Sequence, residues 1–212
     1  NAVRTCHYPD QSRWYELCDE YGIYMIEETN MVTHGTWTLF DKDPVETCIP
    51  GDKPEWQENV LDRVNSMVQR DKNHPAILLW SCGNESFGGS NIFKMSEFMR
   101  KLDNSRLVHY EGITQDRRYP DTSDVESWMY GRPWDVEEYL QNQPGKPFIN
   151  CEYMHAMGNS CGGIKDYTDL LDKYPMYQGS FIWDYMDQAL YRTEKDGSER
   201  LCYGGDFDEV PD

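Results

Sequence analysis

Short apolar runs along this chain alternate with segments in which apolar residues recur every three or four positions. The clearest run, residues 75–80, is wholly apolar and reads as a strand buried on both faces, as parallel strands are. It turns polar within a few residues, at Asn84, Glu85 and Ser86. A second run, 146–153, again ends in a glutamate, Glu152, followed by Tyr153. Shorter strands are predicted over 2–7, ending in His7; over 23–28, ending in Glu27 and Glu28; over 106–112, holding Glu111; over 124–130, ending in Tyr130; and over 178–184, ending in Trp183 and Asp184.

Helices are predicted between these runs. Trp14, Leu17, Cys18 and Tyr21 share one helical face with Gly22 as the stop. Val60, Leu61, Val64, Met67 and Val68 mark a helix from Trp56 to about Arg70, and Ile92, Met95, Met99 and Leu102 mark the next. Two more are expected over 134–140 and 164–174. Residues 29–54 have no clear period and read as a long functional loop, while Lys195-Asp196-Gly197 has the chemistry of a hairpin turn. Strict strand–helix alternation means a parallel sheet with right-handed crossovers. Seven such strands in 212 residues, short of the ~250 typical of a complete barrel, predict a (β/α)8 TIM barrel lacking its first strand. An open doubly wound sheet is the alternative, and it lacks a glycine-rich phosphate loop after the first strand.

The length accommodates one domain over residues 1–212, and 38% apolar with 14% aromatic residues is the composition of a folded globule. A net charge of −18 argues against nucleic acid and anionic membranes as partners and is compatible with a neutral substrate. No apolar run reaches the length of a membrane span and no signal peptide is visible. Seven cysteines, an odd count without a CxxC pair, argue against a zinc or redox motif and predict a reducing, cytoplasmic setting.

In a barrel, every strand ending named above falls on one rim. One polar strand end says little; convergence of several on one hollow is the signal. Two glutamates there, Glu85 and Glu152, are the minimum equipment for cleaving a glycosidic bond: one protonates the leaving oxygen, the other attacks the anomeric carbon. Asn84 has an amide for a sugar hydroxyl, and Trp183 a flat face for a sugar ring.

The motifs His7-Tyr8-Pro9, Thr33-His34-Gly35, Gly83-Asn84-Glu85-Ser86, the block from Cys151 to Ser160 and the block from Phe181 to Gln188 resemble the catalytic barrel of glycoside hydrolase family 2, and within it the β-galactosidases. The likeness runs from Asn1 to Asp212 in matching order. It implies a retaining β-galactosidase acting on terminal β-galactosides, with β-glucuronidase, β-mannosidase or a carbohydrate-binding, inactive barrel as alternatives. By position it implies Glu85 as acid/base, Glu152 as nucleophile, Tyr130 as the tyrosine beside the nucleophile, and His7, Asn84, His155 and Trp183 as sugar contacts. It further implies preceding β-sandwich domains, a strand before Asn1, a sodium site that this chain holds only in part, and room for a homo-oligomer. In that family a magnesium ion would fall at His34 and Glu85, but Val32 stands where the family places a ligand glutamate, so intact family-type magnesium binding is not expected.

Overall fold

The computed structural model describes residues 1–38, 43–142, 144–156, 160–186, 189–202 and 204–207. Strand β1 (Ala2–Arg4) leads through α1 (Ser12–Tyr21) to β2 (Tyr24–Glu28). The short helices α2 (Gly35–Thr38) and α3 (Pro44–Thr47) precede α4 (Gln57–Asp71), β3 (Ile77–Ser81), α5 (Ser90–Leu102) and β4 (Leu107–His109). Then come β5 (Glu126–Met129), α6 (Pro133–Gln141), β6 (Phe148–Tyr153), α7 (Ile164–Lys173) and β7 (Tyr177–Ile182). An antiparallel hairpin, β8 (Leu190–Thr193) and β9 (Glu199–Cys202), follows, turning where the sequence places Asp196-Gly197.

The first four strands pair in parallel in the order β1-β2-β3-β4, and the next three in the order β5-β6-β7. Asp124 closes the seam between the two sets: its backbone N–H donates to the Val108 carbonyl at 2.8 Å and its carboxylate accepts from the Val108 N–H at 2.7 Å. The parallel strands number seven among the described residues, one fewer than a complete barrel has.

Why the site is polar follows from the strand period of two. An inner apolar layer is made of Ile26, Leu79, Val125, Ile149 and Phe181. Two residues further along the same strands, toward their C-terminal ends, stand Glu28, Ser81, Ser127, Cys151 and Trp183. The outward-facing residues of β2–β4, among them Met25, Ile77, Trp80 and Val108, pack on α1, α4 and α5 through Tyr15, Val64, Met67, Val68, Ile92, Met95 and Met99. A second outer cluster joins Phe148 and Tyr177 to Val136, Leu140 and Leu170 of α6 and α7.

Three sequence expectations change. On α1 the interior is taken by Tyr15, whose hydroxyl reaches Glu27 at 3.0 Å, while Tyr21 is 70% exposed. The strand expected over 106–112 stops at His109: the Tyr110 N–H is taken by the Ser123 hydroxyl, and Glu111 opens a 3-10 turn. The stretch 29–54 contains α2 and α3, four residues each and too short to show a period.

Candidate active site

The strand ends bring the predicted residues to one mouth. Glu152, near the end of β6, is buried, and both its oxygens are held. Arg4 Nη1 donates to Oε1 at 2.8 Å, and the Tyr130 hydroxyl donates to Oε2 at 2.8 Å. His7 Nε2 lies 3.9 Å from Oε1. Asn84 is buried, and its Oδ1 accepts from Arg4 Nη2 at 2.8 Å; since arginine only donates, this fixes the amide with Nδ2 turned away from it. Trp183 stacks on the His7 ring with centroids 4.9 Å apart and 14° between planes. His155 is exposed and meets the Tyr130 ring edge-on.

The Glu85 side chain is 37% exposed and lines a hollow of ≈ 430 Å³ together with Glu111 and Tyr130. Tyr130 thus touches Glu152 with its hydroxyl while sharing a wall with Glu85. Three of these residues adopt the left-handed backbone region: Glu85 (φ 40°), Tyr130 (φ 54°) and His155 (φ 31°). Such a residue costs of order 1–3 kcal/mol and persists where the surroundings hold it in place. Gly83, with φ 142°, is where the chain turns into this conformation; a Cβ there would lie 2.8 Å from the Met31 carbonyl oxygen. The adjoining Asn84 N–H donates to that same carbonyl, and Asn84 forms an isolated parallel bridge with Val32.

The sequence reading missed Arg4. Its guanidinium binds both oxygens of Glu28 at 2.9 Å, Glu152, Asn84 and the Cys151 carbonyl, all in the buried interior. Burial pushes the Glu28 carboxyl upward, but Arg4, His7 and Ser81 outweigh it and bring it down to about 2. Behind Glu28 a chain of buried side chains crosses the barrel interior, one per strand. Ser81 Oγ donates to Glu28 Oε2 at 2.7 Å and lies 2.9 Å from His109 Nδ1, and His109 Nε2 lies 2.8 Å from Ser127 Oγ. Burial, with Arg4 second, lowers His109 to about 3, so the ring is neutral. The single hydroxyl proton of Ser81 goes to Glu28, so His109 carries its proton on Nδ1 and accepts from Ser127 on Nε2. An arginine among strand residues carries no sequence signal of its own.

Glu111 was noted only as a strand end. It is buried, its Oε1 accepts from the Glu85 N–H at 2.6 Å, and burial pushes its carboxyl up to about 8. It therefore orients the Glu85 backbone while holding a proton at neutral pH.

At the expected magnesium position, His34 Nδ1 lies 3.1 Å from Glu85 Oε2, and Val32 contributes an isopropyl group. Among the described residues no three His, Cys, Asp or Glu side chains are disposed to hold a metal ion. Two donors, one of them nitrogen, do not fit an ion that takes six oxygens in octahedral geometry. All seven cysteines are unpaired, and among the described residues no helix is long and apolar enough to cross a membrane. The motif residues Met157, Gly158, Asn159, Asp187 and Gln188 lie outside the described residues.

Comparison with known proteins adds to this geometry. The chain is 59% identical over 211 residues to a beta-galactosidase of Clostridium acetobutylicum, covering 100% of this chain and 23% of that protein. It is 53% identical over 211 residues to a beta-galactosidase large subunit of Leuconostoc lactis, covering 99% of this chain and 34% of that protein. It thus spans between a fifth and about a third of these relatives' length. Among solved structures, a Ruminococcus gnavus beta-glucuronidase superposes with a TM-score of 0.66 at 19% identity, over 87% of this chain and 37% of that one. A Faecalibacterium prausnitzii beta-glucuronidase gives 0.66 at 25% identity, over 87% and 36%. The family model "Glycosyl hydrolases family 2, TIM barrel domain" matches residues 1–212, and the chain belongs to that family.

Proposed function

We propose that the protein carrying this barrel is a retaining β-galactosidase. The observation that carries the reading is the holding of Glu152: Arg4 and Tyr130 each donate to one of its oxygens, aiming the carboxylate at the mouth of the barrel. Such an aimed carboxylate is equipped to attack the anomeric carbon as Glu85 protonates the departing oxygen. Glu85, left as a carboxylate, then takes a proton from a water whose oxygen bonds to the anomeric carbon as the glycosyl–Glu152 ester bond breaks and frees the Glu152 carboxylate. On this reading the sugar ring is held by His7, Trp183, His155 and the Asn84 amide, which cluster about Glu152 and the Arg4 and Tyr130 that hold it.

Galactosides are favoured over glucuronides on two grounds. Relatives named beta-galactosidase reach 59% identity, whereas the glucuronidase structures share the fold. A glucuronate carboxylate also needs a cation beside the sugar, and Arg4 is already committed to Glu28 and Glu152. The test uses the full-length protein. A 2-fluoro-β-galactoside should label it, with the adduct on Glu152 by peptide mapping, and a chromogenic panel should show the galactoside cleaved ahead of glucuronide and mannoside. Labelling elsewhere, or glucuronide cleavage without galactoside cleavage, overturns the reading.

A further inference from the structure

The stretch 83–89, which carries Glu85 into the site, bends through positive φ at Gly83 (142°), Glu85 (40°), Phe87 (58°) and Gly89 (102°). Glu85 and Phe87 are not glycines, and such a backbone keeps its shape only where its surroundings fix it from several sides. At one end Glu111 accepts the Glu85 N–H. The other end is held by two further segments, the loop 48–54 and the turn 116–119. From the loop, Asp52 Oδ1 accepts from the Ser90 N–H at 2.6 Å, and the Gly51 carbonyl accepts from the Asn91 N–H at 3.2 Å. Asn91 Nδ2 answers by donating to the Pro50 and Lys53 carbonyls at 3.0 and 2.7 Å. Both segments press close: a Cβ on Gly88 would stand 2.3 Å from the Asp116 Cβ, and one on Gly89 would stand 2.5 Å from the Gly51 carbonyl carbon.

Arg118 joins the two sides. Its Nη1 donates to Asp52 Oδ2 at 2.8 Å, while Nε and Nη2 donate to Oδ1 and Oδ2 of Asp116 at 2.8 and 2.7 Å. Burial pushes the Asp116 carboxyl up, but Arg118 and the Gly89 N–H outweigh it and hold it below the usual range. The guanidinium also lies over the Tyr119 ring, 5.5 Å from its centroid, and Tyr119 stacks on Phe93 of α5. One planar fork thus ties loop to turn around residues 88–90, with α5 as its brace; a lysine, a point charge, has no such fork.

We propose that Arg118 is a positioning residue for Glu85: through Asp52 and Asp116 it clamps residues 88–90 and so keeps the Glu85 carboxyl aimed at the bond to be cleaved. This rests on the reading of Glu85 as the acid/base. The bonds of Arg118 go to Asp52 and Asp116, so it acts on Glu85 indirectly. Arg118 and Asp52 are partly exposed, and a pair of that kind adds little to stability. What it supplies is aim, and a reacting group misplaced by about 1 Å can cost about a hundredfold in rate.

The test uses wild type, Arg118→Ala, Asp52→Ala and the double variant of the full-length protein on two substrates. As methyl β-galactoside is cleaved, the departing oxygen must take the Glu85 proton while its bond to the anomeric carbon breaks. From 2,4-dinitrophenyl β-galactoside a stable phenolate departs without a proton. For both, kcat/KM reports this first step. Arg118→Ala should lower kcat/KM about tenfold for the methyl galactoside and less than about twofold for the dinitrophenyl galactoside. Asp52→Ala should shift the ratio in the same direction, and the double variant should fall by less than the product of the two single falls, because the two residues form one clamp. Each ratio is read on a single preparation, so any unfolded fraction cancels from it. A ratio equal to that of wild type in Arg118→Ala, whether both rates hold or both fall together, overturns the positioning role, and fully multiplicative losses overturn the clamp. Glu85→Gln separates this inference from the reading beneath it. That variant should shift the ratio furthest; if it leaves the ratio unmoved, the acid/base reading fails and the inference with it.

Discussion

Arg4 and Glu152, 148 positions apart in sequence, are joined by a 2.8 Å bond from Nη1 to Oε1, and the same guanidinium grips Glu28 through two more. The site is therefore a buried ion cluster whose geometry is set by strands β1, β2 and β6 together. Buried ions of this kind are costly when one partner is lost, because the remaining charge stays desolvated.

Replacing Arg4 tests that coupling. Arg4→Lys keeps the charge but cannot reproduce a planar fork that reaches Glu28, Asn84 and Glu152 at once. The expected result is a fall in kcat of at least about a hundredfold, of the order of 3 kcal/mol, with a smaller change in KM. Steady-state kinetics on a chromogenic galactoside decides it; kcat within threefold of wild type would remove Arg4 from the positioning of Glu152.

His109 gives a finer test of the same chain of bonds. Glutamine can donate to Ser81 and accept from Ser127, the two tasks of the neutral Nδ1–H ring, whereas leucine can do neither. We expect His109→Gln to keep most of the activity and His109→Leu to lose it, with the pH–rate profile displaced only in the leucine variant. Equal activity in the two would show that Glu28 needs no support from behind.

Much of this was legible from residue order. The wholly apolar run 75–80 does form strand β3, although Leu78 on it is exposed rather than buried, and the alternation of strands and helices does give parallel sheets, because period acts locally. The helical face of α4 lies as its spacing demands, with Val60, Val64, Met67 and Val68 buried. What the sequence could not show was pairing at long range. Arg4, Glu28, Ser81, His109 and Ser127 are unremarkable singly and become a network only when five strands align. Glu111 likewise acquires its raised carboxyl from burial in the folded chain, which outweighs the lowering by the Glu85 N–H it accepts. Even the strand end at His109 was set by a distant hydroxyl, Ser123, capturing the next N–H.

The metal question has a direct test at Val32. With His34 and Glu85 meeting at 3.1 Å, Val32 where the family has a glutamate, and no group of three His, Cys, Asp or Glu side chains disposed for a metal among the described residues, we propose that activity does not depend on magnesium. Dialysis against a chelator should then change kcat by less than about twofold. Val32→Glu adds a carboxylate beside that pair and should create magnesium-dependent activity or a magnesium-dependent rise in Tm. A large chelator-induced loss in wild type, restored by magnesium, would contradict this.

The last prediction concerns pH. Glu111, raised to about 8 by burial, binds its proton more tightly in the folded chain than in the unfolded one, where a glutamate titrates near 4.3. Its contribution is therefore fully present below that unfolded value and is lost as pH rises through about 8, at up to about 1.4 kcal/mol per pH unit. Glu28 has the opposite sign: lowered to about 2, it contributes above the unfolded value and its contribution is lost as pH falls through about 2. Glu111→Gln keeps the neutral amide shape, and its carbonyl can still accept the Glu85 N–H, while removing the titration. Unfolding free energy of this variant, followed by denaturant titration between pH 5 and 8, should decline less steeply with pH than that of wild type, and the acid limb below pH 4 should be unchanged. Parallel curves for the two proteins across pH 5–8 would show that the carboxyl at residue 111 is already ionised in the folded state, and the burial of Glu111 would then need another compensating partner.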